Sequence, residues 1–293
     1  MKSDFYEEYF HHENTHWWFR WRFDLIGDVV GSLTRGKTDV KILDAGCGTG
    51  QMTKLLEGYG EAVGLDLAPE AISYAKIRGV KNLVQGSITE PPFEPGSFDL
   101  VVSLDVIEHV DNDMQILAGL RDIVRPGGHL VVTVPAFQML WSEHDEINHH
   151  KRRYRVPQLR HLVQEAGFDV VRITYCNTAL YLPVLALRKG KTLVRKLRGT
   201  SSTPNPESDL VFYPKPINEA LYRIMRLENR IMQGRNLPFG VSILVVAQRP
   251  ASDVVEAETF ADAPTVPAYA AASPTPVQVL VSEPVREEAL VAR

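Results

Sequence analysis

Short apolar runs alternate with segments of helical periodicity through the middle of the chain. The apolar runs lie near residues 40–44, 61–66, 82–85, 98–103, 129–135, 168–175 and 241–249. Between most of them, apolar residues recur every three or four positions, as they do in amphipathic helices. This alternation predicts an α/β fold, with a mostly parallel sheet and helices on both of its faces.

Two regions interrupt this pattern. Residues 4–35 indicate two helices, and they hold three of the four tryptophans. About sixty residues separate the last two predicted strands, which is far longer than a usual connection and predicts an insertion. Its first part, 179–187, is apolar, and six basic residues follow by residue 198. Such a segment is typical either of a core helix with a solvated flank or of an element on anionic lipid.

Composition and charge limit the class of fold and the partners that the chain could have. Hydrophobic residues make up 44% of the chain, which supports a sizeable core, and a net charge of −4 does not indicate nucleic acid as a partner. After Pro250 the chain consists mainly of Ala, Pro, Val, Thr and Glu without a period, so we expect 250–293 to be disordered.

Cysteine usage and the N-terminus bear on the cellular compartment. The two cysteines, Cys47 and Cys176, give neither a disulfide framework nor a metal-ligand spacing. The N-terminus lacks an apolar signal core, and no stretch approaches the roughly 20 apolar residues of a membrane span. We therefore expect a cytoplasmic protein.

A glycine-rich turn follows the first predicted strand. Asp44 ends that strand, and Gly46, Gly48 and Gly50 follow on alternate positions before a helical segment. Glycine has no Cβ, so the backbone can pass close to a ligand at such a turn. The second predicted strand ends at Asp66, where an acid would bind the hydroxyls of a ribose.

The glycine spacing separates two classes of cofactor. A dinucleotide site requires G-x-G-x-x-G, with a helix N-terminus facing a pyrophosphate. Here the glycines alternate and follow Asp44, which suits a cationic ligand group and disfavours a nicotinamide oxidoreductase. Asp44, the alternate glycines and Asp66 together resemble the first motifs of class I S-adenosylmethionine-dependent methyltransferases.

This resemblance covers about residues 40–175 and the last predicted strand. It implies a Rossmann-like, seven-stranded sheet with its last strand antiparallel, and S-adenosylmethionine as the cofactor. The implied cofactor-binding residues are Asp44, Gly46, Gly48, Gly50, Asp66, Ser87, Ile88 and Asp105. Ser87 departs from the family pattern, which usually has an acid near the adenine, although a hydroxyl can still hydrogen-bond an adenine amine.

The fourth predicted strand runs into Asp105, Glu108 and His109, whose spacing predicts that they share one helical face. This stretch is similar to the acid-x-x-Glu-His stretch of ubiquinone-type O-methyltransferases, which holds a divalent metal in some of them. The first acid here is the shorter Asp, and we expect no metal. Glu108 and His109 either cap the helix and orient the neighbouring loop, or His109 acts as a proton acceptor.

The segment after the fifth predicted strand is the richest in candidate chemistry. Residues 136–154 hold three histidines, three acids and a basic run. His144 beside Asp145 is a candidate for an oriented general base, with His109 as the alternative. Arg153 and its neighbours suit either an anionic substrate group or a loop that closes on local acids.

The run of aromatic and histidine residues at 11–22 has two interpretations. It is either an amphipathic helix packed onto the domain or a lid, whose aromatic faces would attract the sulfonium of the cofactor. The run resembles the N-terminal segment of many methyltransferases of bacterial cell-surface and lipid pathways. The candidate substrate-binding residues are His16, Trp17, Trp141, His149, Arg153 and Tyr154.

The chain is predicted to have four parts. They are an N-terminal helical lid (1–37), a methyltransferase domain (38–176 with 238–249), a helical insertion that contacts substrate or a membrane surface (177–237) and a disordered tail (250–293).

The predicted activity is S-adenosylmethionine-dependent O-methylation of a lipid-linked, glycolipid or saccharide acceptor. The alternatives are a small soluble quinol or polyketide-like acceptor, and a cofactor-binding partner protein without catalysis. The protein is expected to be cytoplasmic, with peripheral contact to the inner membrane face through 179–198 as a further interpretation.

Overall fold

The structure is a computed structural model that describes residues 3–198, 213–254 and 280–281. Two helices open the chain, α1 (Ser3–His12) and α2 (Trp17–Thr34). The following strands and helices alternate as the sequence predicts. They are β1 Lys41–Ala45, α3 Gln51–Leu56, β2 Glu61–Asp66, α4 Pro69–Ile77, β3 Asn82–Gln85, β4 Phe98–Leu104, α5 Asp113–Ile123 and β5 Val124–Pro135.

The second half of the chain adds strands at both edges of the sheet. Its elements are α6 Glu143–Ile147, α7 Val156–Glu165, β6 Asp169–Cys176, α8 Thr178–Arg198, α9 Lys215–Gly234, β7 Ser242–Gln248 and β8 Leu280–Val281. The strand order is β6-β7-β5-β4-β1-β2-β3-β8. The first six strands run parallel and β7 is antiparallel to both neighbours, which confirms the predicted fold class.

One short strand was not predicted. Leu280 and Val281 pair antiparallel with β3 at the edge of the sheet. Ala251–Val254 also form a 3₁₀ turn, so the expected disorder is wrong for these two short segments. Residues 255–279 and 282–293 lie outside the described part of the chain, and for them the disorder stays a prediction.

In the described part of the chain, the core has two large clusters of buried residues, one on each face of the sheet, and a smaller third cluster around Ile72 and Val80. Because successive strand residues point to opposite faces, Leu43 joins the cluster that includes α5 and α7, and Ile42 joins the cluster that includes α2 and α9. Helix α9 also bonds to α2, where the Trp21 indole Nε1 donates to Asn229 Oδ1 at 2.6 Å. The insertion is therefore packed on α2 through α9.

The segment after β4 corrects one prediction. Only Ile107–His109 form a short 3₁₀ turn, and Asp105 precedes it with a φ of 55°. Asp105, Glu108 and His109 therefore do not share the face of an α-helix. A backbone with positive φ breaks helical geometry and turns the Asp105 side chain independently of the other two.

Candidate active site

The glycine turn between β1 and α3 lies at the carboxyl end of the sheet. Gly46 N and Cys47 N both donate to Leu65 O, which ties the turn to β2. Gly48 has a φ of 53°, and a Cβ built on it would meet no atom within 4 Å. Glycine is needed there for its backbone conformation, and the space beside it is open to a ligand.

Two carboxylates flank this turn. Asp44 is buried and accepts a hydrogen bond from Thr53 Oγ1 at 2.6 Å, and burial raises its pKa to about 7. Asp66 accepts hydrogen bonds from Ala68 N and Gly48 N, each at 2.9 Å. Burial raises the pKa of Asp66 as well, while these two N–H groups oppose that change.

A cavity of about 450 Å³, here called the first cavity, opens beside the glycine turn. Seven of the eight predicted cofactor-binding residues line it: Asp44, Gly46, Gly48, Asp66, Ser87, Ile88 and Asp105. The eighth, Gly50, begins α3 with a φ of 82°. Ser87 Oγ is within 2.7 Å of Thr89 Oγ1, which fixes its hydroxyl at the wall of the cavity.

Glu13, just after α1, joins the N-terminal region to this wall. Its carboxylate accepts hydrogen bonds from Arg78 Nη2 at 2.8 Å and from the Thr49 hydroxyl of the glycine turn. The Arg78 guanidinium also lies 4.5 Å from the centroid of the Phe10 ring. This clamp of Glu13, Arg78 and Phe10 holds α1 against the first cavity, which Tyr6 and Tyr9 line from that helix.

A second cavity of about 300 Å³ adjoins the first, and Tyr9, Asp105, His109 and Asn148 are among the residues that line both. The start of α2 and one side of α8 contribute to the second cavity alone. Their residues there are Trp17, Trp18, Leu180, Val184 and Arg188. The insertion therefore forms part of a compartment that meets the first cavity.

Arg22 of α2 lies where the two cavities meet. Its Nη1 is 3.2 Å from Asp105 Oδ2, and its Nη2 donates to Leu104 O at 2.9 Å. Asp105 also accepts a hydrogen bond from Thr133 Oγ1 at 3.2 Å. The sequence analysis did not select Arg22, because a cation 83 positions before its partner carries no local signal.

Asp145 organises the loop after β5. Arg153 Nε and Nη2 donate to its two oxygens at 2.8 and 2.9 Å, and His150 Nδ1 is 2.9 Å from Oδ1. Burial opposes ionisation of Asp145, but the bonds from His150 and Arg153 outweigh it and hold its pKa well below the usual range. The histidine bonded to Asp145 is thus His150, five residues away, rather than the adjacent His144 that was the candidate.

Glu108, His109 and His150 form a compact group. One ligand atom from each lies within 4.8 Å of the others, and the His109 and His150 ring centroids are 4.7 Å apart. Burial, with the neighbouring His150, lowers the pKa of His109 to about 4. Burial raises the pKa of Glu108 well above its usual value, aided by Asp105. The group has the donor types of a metal site, and the absence of a metal stays a prediction.

The predicted substrate-binding residues are divided by the structure. His16 and Trp17 line the second cavity and His149 lines the first. Arg153 borders the second cavity, but its guanidinium is bound to Asp145. Tyr154 is fully buried with its hydroxyl 3.0 Å from Asp113 Oδ2, so it is a structural residue and its prediction was wrong.

Trp141 lines neither cavity. Arg152, the neighbour of Arg153, is also paired with an acid, because its Nη1 lies 2.9 Å from Asp113 Oδ2. The basic run thus closes on local acids.

Buried polar atoms without hydrogen-bond partners concentrate around the second cavity. Among the described residues, eight buried side-chain atoms have no hydrogen-bond partner, and six of them belong to five residues that line this cavity. These atoms are Trp17 Nε1, Arg22 Nε, Glu108 Oε1, Glu108 Oε2, Asn148 Oδ1 and Asn177 Oδ1. Such groups are rare in folded proteins and often mark a place where a ligand or water binds.

The methyltransferase-domain family model matches residues 43–132. The match runs from β1 into β5 and includes the glycine turn, Asp66, Ser87, Asp105 and His109. Residues 43–132 are a methyltransferase domain.

Two curated proteins are similar to part of this chain. One from Mycolicibacterium smegmatis, named "Probable S-adenosylmethionine-dependent methyltransferase", is 28% identical over 158 residues, which are 53% of this chain and 60% of that protein. A ubiquinone biosynthesis O-methyltransferase of Xanthomonas campestris is 31% identical over 100 residues, 32% of this chain and 42% of that protein. The matches therefore span less than two thirds of either relative.

A solved structure shares the fold of the methyltransferase domain. It is the Haemonchus contortus phosphoethanolamine N-methyltransferase 2 in complex with S-adenosyl-L-methionine. The TM-score is 0.50 at 17% identity, and the match covers 76% of this chain and 51% of that chain. At this identity the likeness concerns the fold, in agreement with the strand order described above.

Proposed function

We propose that the methyltransferase domain transfers a methyl group from S-adenosylmethionine to a hydroxyl oxygen of a saccharide, either free or linked to a lipid. The choice of a saccharide as the acceptor rests on the buried polar atoms around the second cavity that have no hydrogen-bond partner. The two adjoining cavities support separate places for donor and acceptor, with the reacting atoms where both meet.

The first cavity suits S-adenosylmethionine in charge and in surface. Asp66, fixed beside the glycine turn, would hold the ribose hydroxyls, and Asp44 would favour a cationic group. Tyr6, Tyr9 and Phe19 offer aromatic faces, which attract a sulfonium. The bound cofactor supplies the methyl group, and the chain supplies its orientation.

The second cavity suits an acceptor with several hydroxyl groups. A buried polar atom without a partner costs about 1–3 kcal/mol, and a ligand that bonds to it recovers this free energy. The side chains of Asn148 and Asn177 offer acceptor oxygens, and Trp17 Nε1 and Arg22 Nε offer donors. The Glu108 carboxyl, whose pKa burial raises, offers both an acceptor oxygen and an O–H donor. A saccharide presents hydroxyls that both donate and accept, whereas a planar quinol presents few. Leu180 and Val184 of α8 give the same cavity an apolar side, which suits a linked lipid.

His109 is the proposed general base because it borders both cavities and its low pKa keeps it neutral at neutral pH. Bound S-adenosylmethionine would supply the methyl group to the acceptor oxygen, and its sulfur would keep the electron pair of the broken carbon–sulfur bond. The hydroxyl proton passes to the imidazole of His109. His150, held by Asp145, packs edge-on against His109 and positions its ring.

A soluble quinol or a polyketide-like molecule is the second candidate acceptor. The similarity to the Xanthomonas campestris ubiquinone biosynthesis O-methyltransferase favours it, over the 100 residues that match. A cofactor-binding protein without catalysis is the remaining alternative. Labelled methyl transfer distinguishes the three.

The test incubates the full chain with methyl-labelled S-adenosylmethionine and three acceptor pools: lipid-linked glycans, free glycans and quinols. Acid hydrolysis of the products should release labelled O-methyl sugars. Label in the quinol pool alone would overturn the saccharide proposal. Absence of transfer to all three pools, with the cofactor bound, would support the non-catalytic alternative.

Variants of Glu108 sharpen this test. Glu108→Leu should raise the KM for the saccharide about tenfold or more and leave cofactor affinity unchanged, because the carboxyl group lines only the second cavity. Glu108→Gln keeps a neutral hydrogen-bonding group of the same shape and should retain most of the affinity. An unchanged KM in Glu108→Leu would contradict the role of the partnerless atoms.

A further inference from the structure

The outward face of α8 is apolar where a surface helix would normally be polar. The described residues that it exposes before Lys189 are Ala179, Leu182, Pro183, Ala186 and Leu187. The exposed fractions are 66% for Leu182 and 60% for Leu187. The inward face of the same helix, with Leu180, Val184 and Arg188, lines the second cavity.

Helix α9 carries a second outward stripe of large apolar residues. Ile217, Ile224 and Ile231 recur every seven residues, and Leu227 lies between the last two. All four are exposed, with fractions from 48% to 57%. An adjacent face of α9 packs on the core, through Met225 and Met232. The stripe is therefore additional to the face that folding buries.

Positive charge accompanies both stripes. Helices α8 and α9 together contain ten basic and two acidic residues, in a chain whose net charge is −4. Of the two acids, Glu228 is buried and Glu219 is paired with Arg20 at 2.8 Å. Arg223 and Arg230 are exposed on α9, beside the apolar stripe, and Lys189 is exposed on α8.

This combination fits a surface that is apolar and anionic. No helix among the described residues is long and apolar enough to cross a membrane. A helix with an apolar face and basic flanks instead lies in the interface of a bilayer. A second copy of the chain fits less well, because a two-fold contact would place these basic groups against themselves.

We propose that the apolar stripes of α8 and α9, with their basic flanks, dock the protein on an anionic lipid bilayer. Leu182, Leu187, Ile224 and Ile231 enter the interface, and Arg223 and Arg230 contact lipid phosphates. Because α8 also lines the second cavity, docking brings that cavity to the membrane surface. The docking itself does not depend on methyl transfer.

The test is sedimentation of the full chain with vesicles of phosphatidylcholine alone or mixed with phosphatidylglycerol. We expect binding to the mixed vesicles that weakens as salt is added. The paired substitution Leu182→Ser with Leu187→Ser, and the pair Ile224→Ser with Ile231→Ser, should each reduce binding about tenfold or more. The pair Arg223→Glu with Arg230→Glu should reduce vesicle binding more than either of these pairs, since each basic residue near such a surface raises the affinity about fivefold.

The matched control is Ile77→Ser with Val171→Ser. These residues lie on α4 and β6 and are exposed by 58% and 57%, as much as the stripe residues. The control should bind like the unchanged chain, and all variants should keep their thermal unfolding midpoint and their affinity for S-adenosylhomocysteine. Three outcomes would overturn docking. They are no binding of the unchanged chain to mixed vesicles, a loss of vesicle binding in the control equal to that in the stripe variants, or stripe substitutions that change the oligomeric state of a chain that does not bind vesicles.

Discussion

At the residue scale, Asp44 connects cofactor binding to pH. Burial raises the pKa of Asp44 to about 7 in the folded protein, so its carboxyl changes protonation state within the neutral pH range. If a cationic ligand requires the ionised form, affinity for S-adenosylmethionine should rise about tenfold between pH 6 and pH 8. Calorimetric titration across this range measures the effect.

Asp44→Asn is the control for this prediction. Affinity should be weaker in the variant and nearly constant with pH. The raised pKa also makes the stability of the unliganded protein depend on pH. The carboxyl ionises near pH 4 in the unfolded chain but only near pH 7 in the folded protein, so the free energy of unfolding falls as the pH rises from 4 to 7. Asp44→Asn should remove that loss. An unchanged pH dependence in the variant would refute the assignment to Asp44.

The candidate bases separate by substitution. His109→Gln should lower kcat about a hundredfold or more and leave cofactor affinity within a few-fold, because general base catalysis contributes about 10²–10⁴. His144→Gln, at the other histidine that the sequence favoured, should retain most of the activity. Equal losses in both variants would contradict the role assigned to His109.

Residue types at the site were largely predictable, but their partnerships were not. Asp44, Asp66 and the glycines follow from spacing, since a strand, a turn and a helix are consecutive in the chain. The bond from His150 to Asp145 depends on the turn that ends α6, where His149 has a φ of 58°. Adjacency in sequence pointed to His144 because that turn could not be foreseen.

At the scale of elements, the clamp on α1 should control how tightly the first cavity holds its ligand. Arg78→Met removes the charge that Glu13 binds and should weaken S-adenosylmethionine binding about tenfold, by loosening α1. Lys54→Met is the control, because Lys54 is exposed on α3 and its ammonium bonds to Glu57 and to Gly79 O, neither of which belongs to α1. Hydrogen exchange of α1 should rise in the first variant alone. Unchanged exchange there would contradict the clamp.

The contact between α2 and α9 makes a prediction about stability. Asn229→Ala leaves Trp21 Nε1 buried without its partner and should lower the free energy of unfolding by about 1–3 kcal/mol. Gln233→Ala, also on α9, removes an exposed hydrogen bond to Asp28 of α2 and should have little effect on the free energy of unfolding. Denaturant titration compares the two. Similar losses in both variants would argue against the buried bond.

Elements with a clear period were predicted closely, and local backbone conformation was not. The bounds of β2 and β3 agree with the apolar runs because a buried strand needs an uninterrupted apolar segment. The positive φ at Asp105 has no such signal, so the expected helical face of Asp105, Glu108 and His109 was wrong.

At the scale of the whole molecule, the tail is expected to be dispensable for the site. Beyond Val254, its described contact with the sheet is the pairing of Leu280 and Val281 with β3. A chain that ends at Val254 should keep its affinity for S-adenosylhomocysteine and its rate of methyl transfer. A loss of either property, with an unchanged unfolding midpoint, would show that the tail takes part in function.

The second cavity illustrates what a single sequence does not reveal. It joins the start of α2, the segment after β4, the loop after β5 and one side of α8. Trp17, for example, is held there by a bond from its backbone N–H to Asn218, 201 positions away. Contacts over such separations depend on how α9 packs, which no local period specifies.

The insertion leaves the sheet after Cys176 and re-enters it at Ser242, and these two residues are paired across β6 and β7. Because its two ends are neighbours, the insertion can become longer or shorter, or be replaced, without shifting the strands that flank it. In a lineage of such proteins, new acceptors could then be acquired by rewriting one contiguous stretch of the gene. Descendants would resemble one another most where the methyl donor binds and differ most between these two positions.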